Sequence, residues 1–182
     1  MKKIIASISA FILIVVGLVA LAGCKSSKTF YSEWHGAGAV IEKENVFKSV
    51  DVDEAAAMLN DSSKNTFALF FGASTDSSAV ASMTALQYTA DVKNYEGKVY
   101  FLTTTDSLKS TSKMKDINDK LGKVGVEEFK DIVCVLYENG SVKFNTNKEN
   151  DYEDQLKQFK IGSKVNIIAV MEYVIELYPV TE

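Results

Sequence analysis

From Val46 onward, short apolar runs alternate with stretches in which apolar residues recur every three or four positions. Continuous runs of four to eight read as buried strands, and the 3.6-residue period reads as helix. Val46–Val50 is a short strand, and Asp51 or Asp53 can cap a helix over Glu54–Leu59 with Asn60-Asp-Ser-Ser as its exit. Thr66–Phe71 is a fully buried type of strand ending at Gly72. A helix follows over about Ser77–Asn94, with Val80, Met83, Leu86 and Ala90 on one face and Gly97 as its stop. Lys98–Leu102 is the third strand, and Ser110–Leu121 is an amphipathic helix through Met114, Ile117 and Leu121, stopped by Gly122.

Asp131–Tyr137 and Ser141–Phe144 flank Glu138-Asn139-Gly140. Asn-Gly between two strand-type runs is a hairpin signal, because both turn residues must accept positive φ. Asn150–Lys160, with Tyr152, Leu156 and Phe159, is a short extra helix, and Val165–Tyr178 is a largely buried helix closed by Pro179. The order β-α-β-α-β-α-β-β-α makes the early βαβ units pair in parallel, with the hairpin as an antiparallel edge. The expected fold is a three-layer α/β domain with a mixed central sheet and helices on both faces. There is no internal repeat.

The segment ahead of this pattern is different. Lys2 and Lys3 precede an uncharged run, Ile4–Ala22, that ends in Leu21-Ala22-Gly23-Cys24. A basic start, an apolar middle and small residues at the end are the parts of an export signal. An uncleaved membrane helix is the other reading of so long an apolar run, but it does not require Leu-Ala-Gly-Cys at its end. The motif resembles the lipobox of bacterial lipoproteins. That resemblance implies cleavage after Gly23, acylation of Cys24 and residence on the outer face of the cytoplasmic membrane. Two acyl chains make such anchoring stable where one is marginal. Residues 1–23 are then a signal peptide, 24–45 a lipidated N-terminus and tether, and 46–182 the folded domain. Within the tether, Lys25–Thr29 is polar and Gly36–Ala39 small. Phe30–His35 holds the only Trp and His, either as an exposed aromatic patch or packed back on the domain. A lone His35 without nearby Cys or His argues against a metal site there.

Charge and cysteine content narrow the function. Loss of residues 1–23 removes two lysines and no acid, so the side-chain charge moves from −4 to −6 over the remaining 159 residues. An acidic chain without a basic cluster is a poor nucleic-acid ligand. Cys24 is committed to lipid, which leaves Cys134 without an intramolecular partner. In Ile132–Tyr137 it reads as a small buried hydrophobe, with a reactive thiol as the alternative. Nucleophile elbow, P-loop and paired-histidine motifs are missing. The acidic runs Asp51–Glu54 and Glu149–Asp154 read as solvated helix caps; the second lacks the glycine-bearing loop needed for tight calcium binding.

The element order, Phe67-Ala-Leu-Phe-Phe-Gly-Ala-Ser-Thr-Asp-Ser-Ser-Ala-Val80, Val124-Gly-Val126 and Val133-Cys-Val-Leu-Tyr-Glu-Asn-Gly-Ser-Val142 together resemble the thioredoxin family. Gly72-Ala-Ser-Thr75 followed by Asp76 is similar to the Gly-x-x-Thr-Cys pattern of Gram-positive bacteriocin-transport accessory proteins. The resemblance implies a thioredoxin-like α/β/α sandwich over about Val46–Tyr178. Its Cys-x-x-Cys positions fall on Asp76 and Ala79, or in the other register on Thr75 and Ser78, and neither pair holds sulfur. Thiol–disulfide exchange needs an activated thiolate and a resolving thiol. The family's cis-proline also has no counterpart near Lys130–Ile132, so a trans peptide is expected there.

Ser74, Thr75, Asp76, Ser77 and Ser78 are left at the turn, either as helix caps or as a polar edge that contacts a ligand. No cofactor and no metal is implied. The expected function is a redox-inactive, membrane-anchored module that binds a protein or peptide. A degenerate oxidoreductase using Cys134 and a small-molecule-binding lipoprotein are the alternatives, the latter requiring a pocket above roughly 300 Å³ at the turn. Cys24→Ser is expected to leave the signal segment uncleaved, while the processed wild type begins at Cys24 and carries the added mass of acyl chains. Intact-mass spectrometry of both proteins checks this.

Overall fold

The computed structural model describes residues 30–61, 66–105, 111–124 and 131–177. The signal segment, Cys24, the tether up to Thr29, Ser62, Ser63, Gly125, Val126, Lys130 and Pro179, and the Met114 side chain, lie outside the described residues. The architecture is a thioredoxin-like three-layer α/β/α sandwich. Strands β1 (Phe47–Ser49), β2 (Thr66–Gly72), β3 (Val99–Thr103), β4 (Val133–Glu138) and β5 (Ser141–Asn145) form one sheet in the order β1-β3-β2-β4-β5. β3 runs parallel to both β1 and β2, as right-handed crossovers require. β4 runs antiparallel to β2 and β5 antiparallel to β4. The hairpin therefore supplies an inner strand as well as an edge. Asn139 and Gly140 both take positive φ at its tip, 52° and 78°, as a tight two-residue turn demands.

Helices α1 (30–36), α3 (Ser77–Val92) and α6 (Ile167–Leu177) cover one face of the sheet over Ala68, Phe70, Phe101, Cys134 and Leu136. Helices α2 (Val52–Asn60) and α4 (Thr111–Leu121) cover the other over Leu69, Phe71, Leu102, Val133 and Val135. The alternation of burial along β2 and β4 is hidden in sequence because both faces are covered, which is why these strands read as unbroken apolar runs. α2 begins with a capping box. Asp51 accepts from the Glu54 amide at 2.8 Å and Glu54 accepts from the Asp51 amide at 2.9 Å.

Three features depart from the pattern in the sequence. The stretch 30–45, assigned by composition to a tether, is anchored on the sheet, and of the two readings of Phe30–His35 the packed one holds: Phe30 and Trp34, one turn apart in α1, are buried with Ala39 and Ile41. The Phe30 and Trp34 rings each meet Phe101 edge-on at 5.3 Å between centroids. Small and polar neighbours conceal two large anchors that outweigh them. α3 ends at Val92 and not at Gly97. Asn94 takes the left-handed conformation at φ 50°, and the Tyr95 amide donates to Ala90 O at 2.9 Å, a Schellman closure with asparagine in the usual glycine place. Asn150–Lys160 holds only α5 (Glu153–Leu156) and a 3₁₀ turn, Lys157–Phe159. A two-stranded ribbon, β6 (Lys160–Ile161) with β7 (Lys164–Val165), follows, too short to leave a periodicity. No helix among the described residues is long and apolar enough to cross a membrane.

Trp34→Ala is expected to lower unfolding free energy by about 3–5 kcal/mol, the range for emptying a buried aromatic site. Urea denaturation followed by far-ultraviolet circular dichroism checks this. A loss below 1 kcal/mol would mean that α1 is only loosely attached.

Candidate functional site

The turn between β2 and α3 sits at the end of the central strand, where sheet hydrogen bonding stops. Gly72 has no side chain because none fits. A Cβ there would lie 3.2 Å from Ile132 Cγ1 and Phe101 Cζ and 3.3 Å from Trp34 Cη2. The floor of the turn is thus a dry contact between α1, β3 and the segment entering β4. The Trp34 indole donates to Thr103 Oγ1 at 3.1 Å, and the Thr104 amide donates to Gly72 O at 2.8 Å. The Thr104 hydroxyl beside them is fully buried with no hydrogen-bond partner among the described residues.

The five polar turn residues separate into two roles. Ser74 faces inward: its amide donates to Thr105 Oγ1 at 2.9 Å and its hydroxyl donates to Glu33 Oε1 at 3.0 Å. Asp76 caps α3, accepting from the Ala79 amide at 2.8 Å while its own amide donates to Ala73 O at 3.0 Å. Thr75, Ser77 and Ser78 are exposed. Capping therefore accounts for Asp76, and anchoring to α1 accounts for Ser74. The ligand-edge reading is left with the three exposed hydroxyls.

Ser78 borders a cleft. This opening of about 530 Å³ lies between the α3 start, the segment entering β4 and the β6–β7 ribbon. Ile132, Val165 and Ile167 form its apolar part, and Asp131, Asn147 and Lys164 its polar rim. Asp131 is held in place, accepting from the Ser82 hydroxyl at 2.7 Å and the Ile132 amide at 2.6 Å. The peptide bonds joining Asp131, Ile132 and Val133 are trans. Glu33, Thr105, Thr146, Asn147 and Lys164 escape a sequence reading because tertiary contact alone brings them here. Trp34 was visible as the lone tryptophan, without a sign of its target.

Cys134 lies inside β4, fully buried, and burial pushes its thiol far above the ordinary thiol range. Burial thus disfavours the thiolate, which is the nucleophilic form. Glu149 pairs with Lys160 at 3.3 Å, and Glu153 and Asp154 lie in the first turn of α5. No group of three or more His, Cys, Asp or Glu among the described residues is placed to hold a metal.

No protein-family model matches the chain, and no curated protein matches it in sequence. What the structure shares with thioredoxins is the fold, carried by the sheet order. Native protein is expected to leave Cys134 unlabelled by a thiol reagent until denaturant is added, as read by mass spectrometry. Asp76→Cys with Ala79→Cys is expected to close an intramolecular disulfide, since the pair spans the first helical turn, yet to reduce insulin poorly without the substrate-side proline. Closure of a Thr75→Cys, Ser78→Cys pair in its place would favour the other register.

Proposed function

We propose that this protein is a lipoprotein on the outer face of the cytoplasmic membrane whose redox-inactive thioredoxin-like domain binds a protein or peptide partner. One observation carries the reading. The sheet order and the turn-to-helix geometry are those of a thioredoxin-type fold, while the positions that would bear sulfur hold Asp76 and Ala79 or Thr75 and Ser78. Asp76 spends its carboxylate on a cap, and Ala79 is fully buried. A fold that keeps its scaffold without its nucleophile retains a surface and not a reaction. The Leu-Ala-Gly-Cys24 motif supports the anchor. The inert environment of Cys134 counts against redox chemistry through that thiol.

The cleft beside Ser78 supplies the surface. Ile132, Val165 and Ile167 offer an apolar strip to one side chain of an extended segment, and the Asp131–Lys164 rim offers polar contacts along it. A role beside an export or bacteriocin-immunity system rests on fold analogy alone. The size of the cleft also favours a second reading, a small-molecule receptor, because about 530 Å³ falls within the ligand-pocket range.

Photo-crosslinking amino acids at Ser78 and Lys164, with Lys115 on α4 as the control, test the proposal in membranes of the producing cell. A discrete protein adduct at 78 and 164 but not at 115, lost on Ile167→Asp, is the expected result. Identical adducts at all three positions would overturn partner binding at the cleft. An absence of adducts together with a small molecule co-purifying in wild type and lost in Ile167→Asp would establish the second reading.

A further inference from the structure

We infer that the outward face of α3 rests on the lipid surface and fixes the orientation of the domain on the membrane. The inference rests on the proposed acylation of Cys24. A surface helix normally turns charge toward water. α3 buries Ala79, Met83, Leu86 and Ala90, yet its opposite face carries Ala81, Ala85, Tyr88 and Val92 at spacings of four, three and four. Tyr88 is 69% and Val92 59% exposed. Val40, 72% exposed, joins the patch, because its amide donates to Thr84 Oγ1 at 2.9 Å, one turn from Tyr88.

Area and chain length decide what covers this patch. One tyrosine and two valines supply a few hundred Å² at most, well below the roughly 800 Å² per partner of a stable protein interface. A second copy is therefore a poor occupant. A bilayer brought to the patch by the chain itself needs no such area, because tethering replaces a bimolecular encounter. Within α1, Trp34 packs beneath Gly72 near the start of α3, and Phe30, one turn earlier, packs on Phe47 toward the side where α3 ends. α3 ends at Val92 and feeds β3, whose Val99 is the register partner of Phe47, and the Phe47 ring is 5.6 Å from that of Phe30. Phe30 is fixed in the core only six residues after Cys24. Six residues span at most about 21 Å in any conformation, less than the roughly 35–40 Å breadth of a domain this size. Acylation of Cys24 therefore holds Phe30 within about 21 Å of the anchor and keeps the bilayer within reach of that end of the domain.

The contact is apolar in character. Asp91 and Glu96 are exposed nearby and are balanced by the exposed Lys93 and Lys98, so no net charge of these four residues steers this end, and tyrosine is suited to the boundary between headgroups and acyl chains. Added salt is expected to leave the contact intact or strengthen it.

The test uses the acylated full-length mature protein in phosphatidylcholine vesicles. Val92→Cys and, separately, Ile161→Cys carry an environment-sensitive fluorophore. Ile161 is 71% exposed on the β6–β7 ribbon, which borders the cleft at the other end. A blue shift and quenching by brominated lipid at 92, neither at 161, and loss of both effects in Tyr88→Asp are the expected results. An unquenched label at 92 on protein whose mass shows acyl chains would overturn the docking while leaving the lipoprotein reading intact. A mass without acyl chains would overturn both. A shift at 92 that grows with protein concentration without lipid would assign the patch to a second copy, and one that needs another membrane protein would assign it to that partner.

Discussion

Phe67 to Phe71 are five consecutive buried residues in a strand paired on both edges, and the rest of the architecture answers that constraint. A strand of this kind exposes apolar side chains on two faces and must be covered twice. α2 and α4 meet one requirement. On the other face α3 and α6 are joined by α1, whose Phe30 and Trp34 pack on Phe101 and Phe47. The strand stops at Gly72, where three side chains from separate elements converge on a position without a Cβ. The location of the turn is therefore set from below by packing, independently of the polar residues displayed above.

That independence explains how the turn keeps its shape without sulfur. Its backbone is held by the Ser74 contacts to Thr105 and Glu33 and by the Asp76 cap on Ala79. None of these interactions uses a side chain that chemistry would consume. The bond between Ser82 and Asp131 likewise ties α3 to the segment entering β4 across the cleft. Functional sites commonly carry strain or unpaired groups that stability must offset elsewhere. Here the polar side chains of the turn that face inward are satisfied, and the buried Thr104 hydroxyl is the exception.

The fold was largely legible because the buried strands, the Asn139-Gly140 turn and the long helices leave strong local signals. The elements that escaped are those fixed from a distance. α1 hides inside a polar, glycine-bearing stretch because two aromatic side chains suffice to hold it. The ribbon Lys160–Val165 has two residues per strand and no period to read. At the site, the sequence located the turn and its cap but could not divide the five polar residues by direction. Ser74 turns inward because Thr105 and Glu33 wait there, 31 and 41 residues away. The cleft was invisible for the same reason, since its walls come from segments that meet only after folding.

α1 has a mechanical consequence. Load applied to the chain ahead of residue 30 reaches the domain through Phe30 and Trp34 before any strand bears it. Peeling α1 would break the Trp34–Thr103 bond and the Glu33–Ser74 bond, and would uncover Gly72 beneath the turn. The first element to yield under tension is thus also the one that supports the turn, so a pull on the N-terminal chain and the shape of the turn are coupled through a single helix.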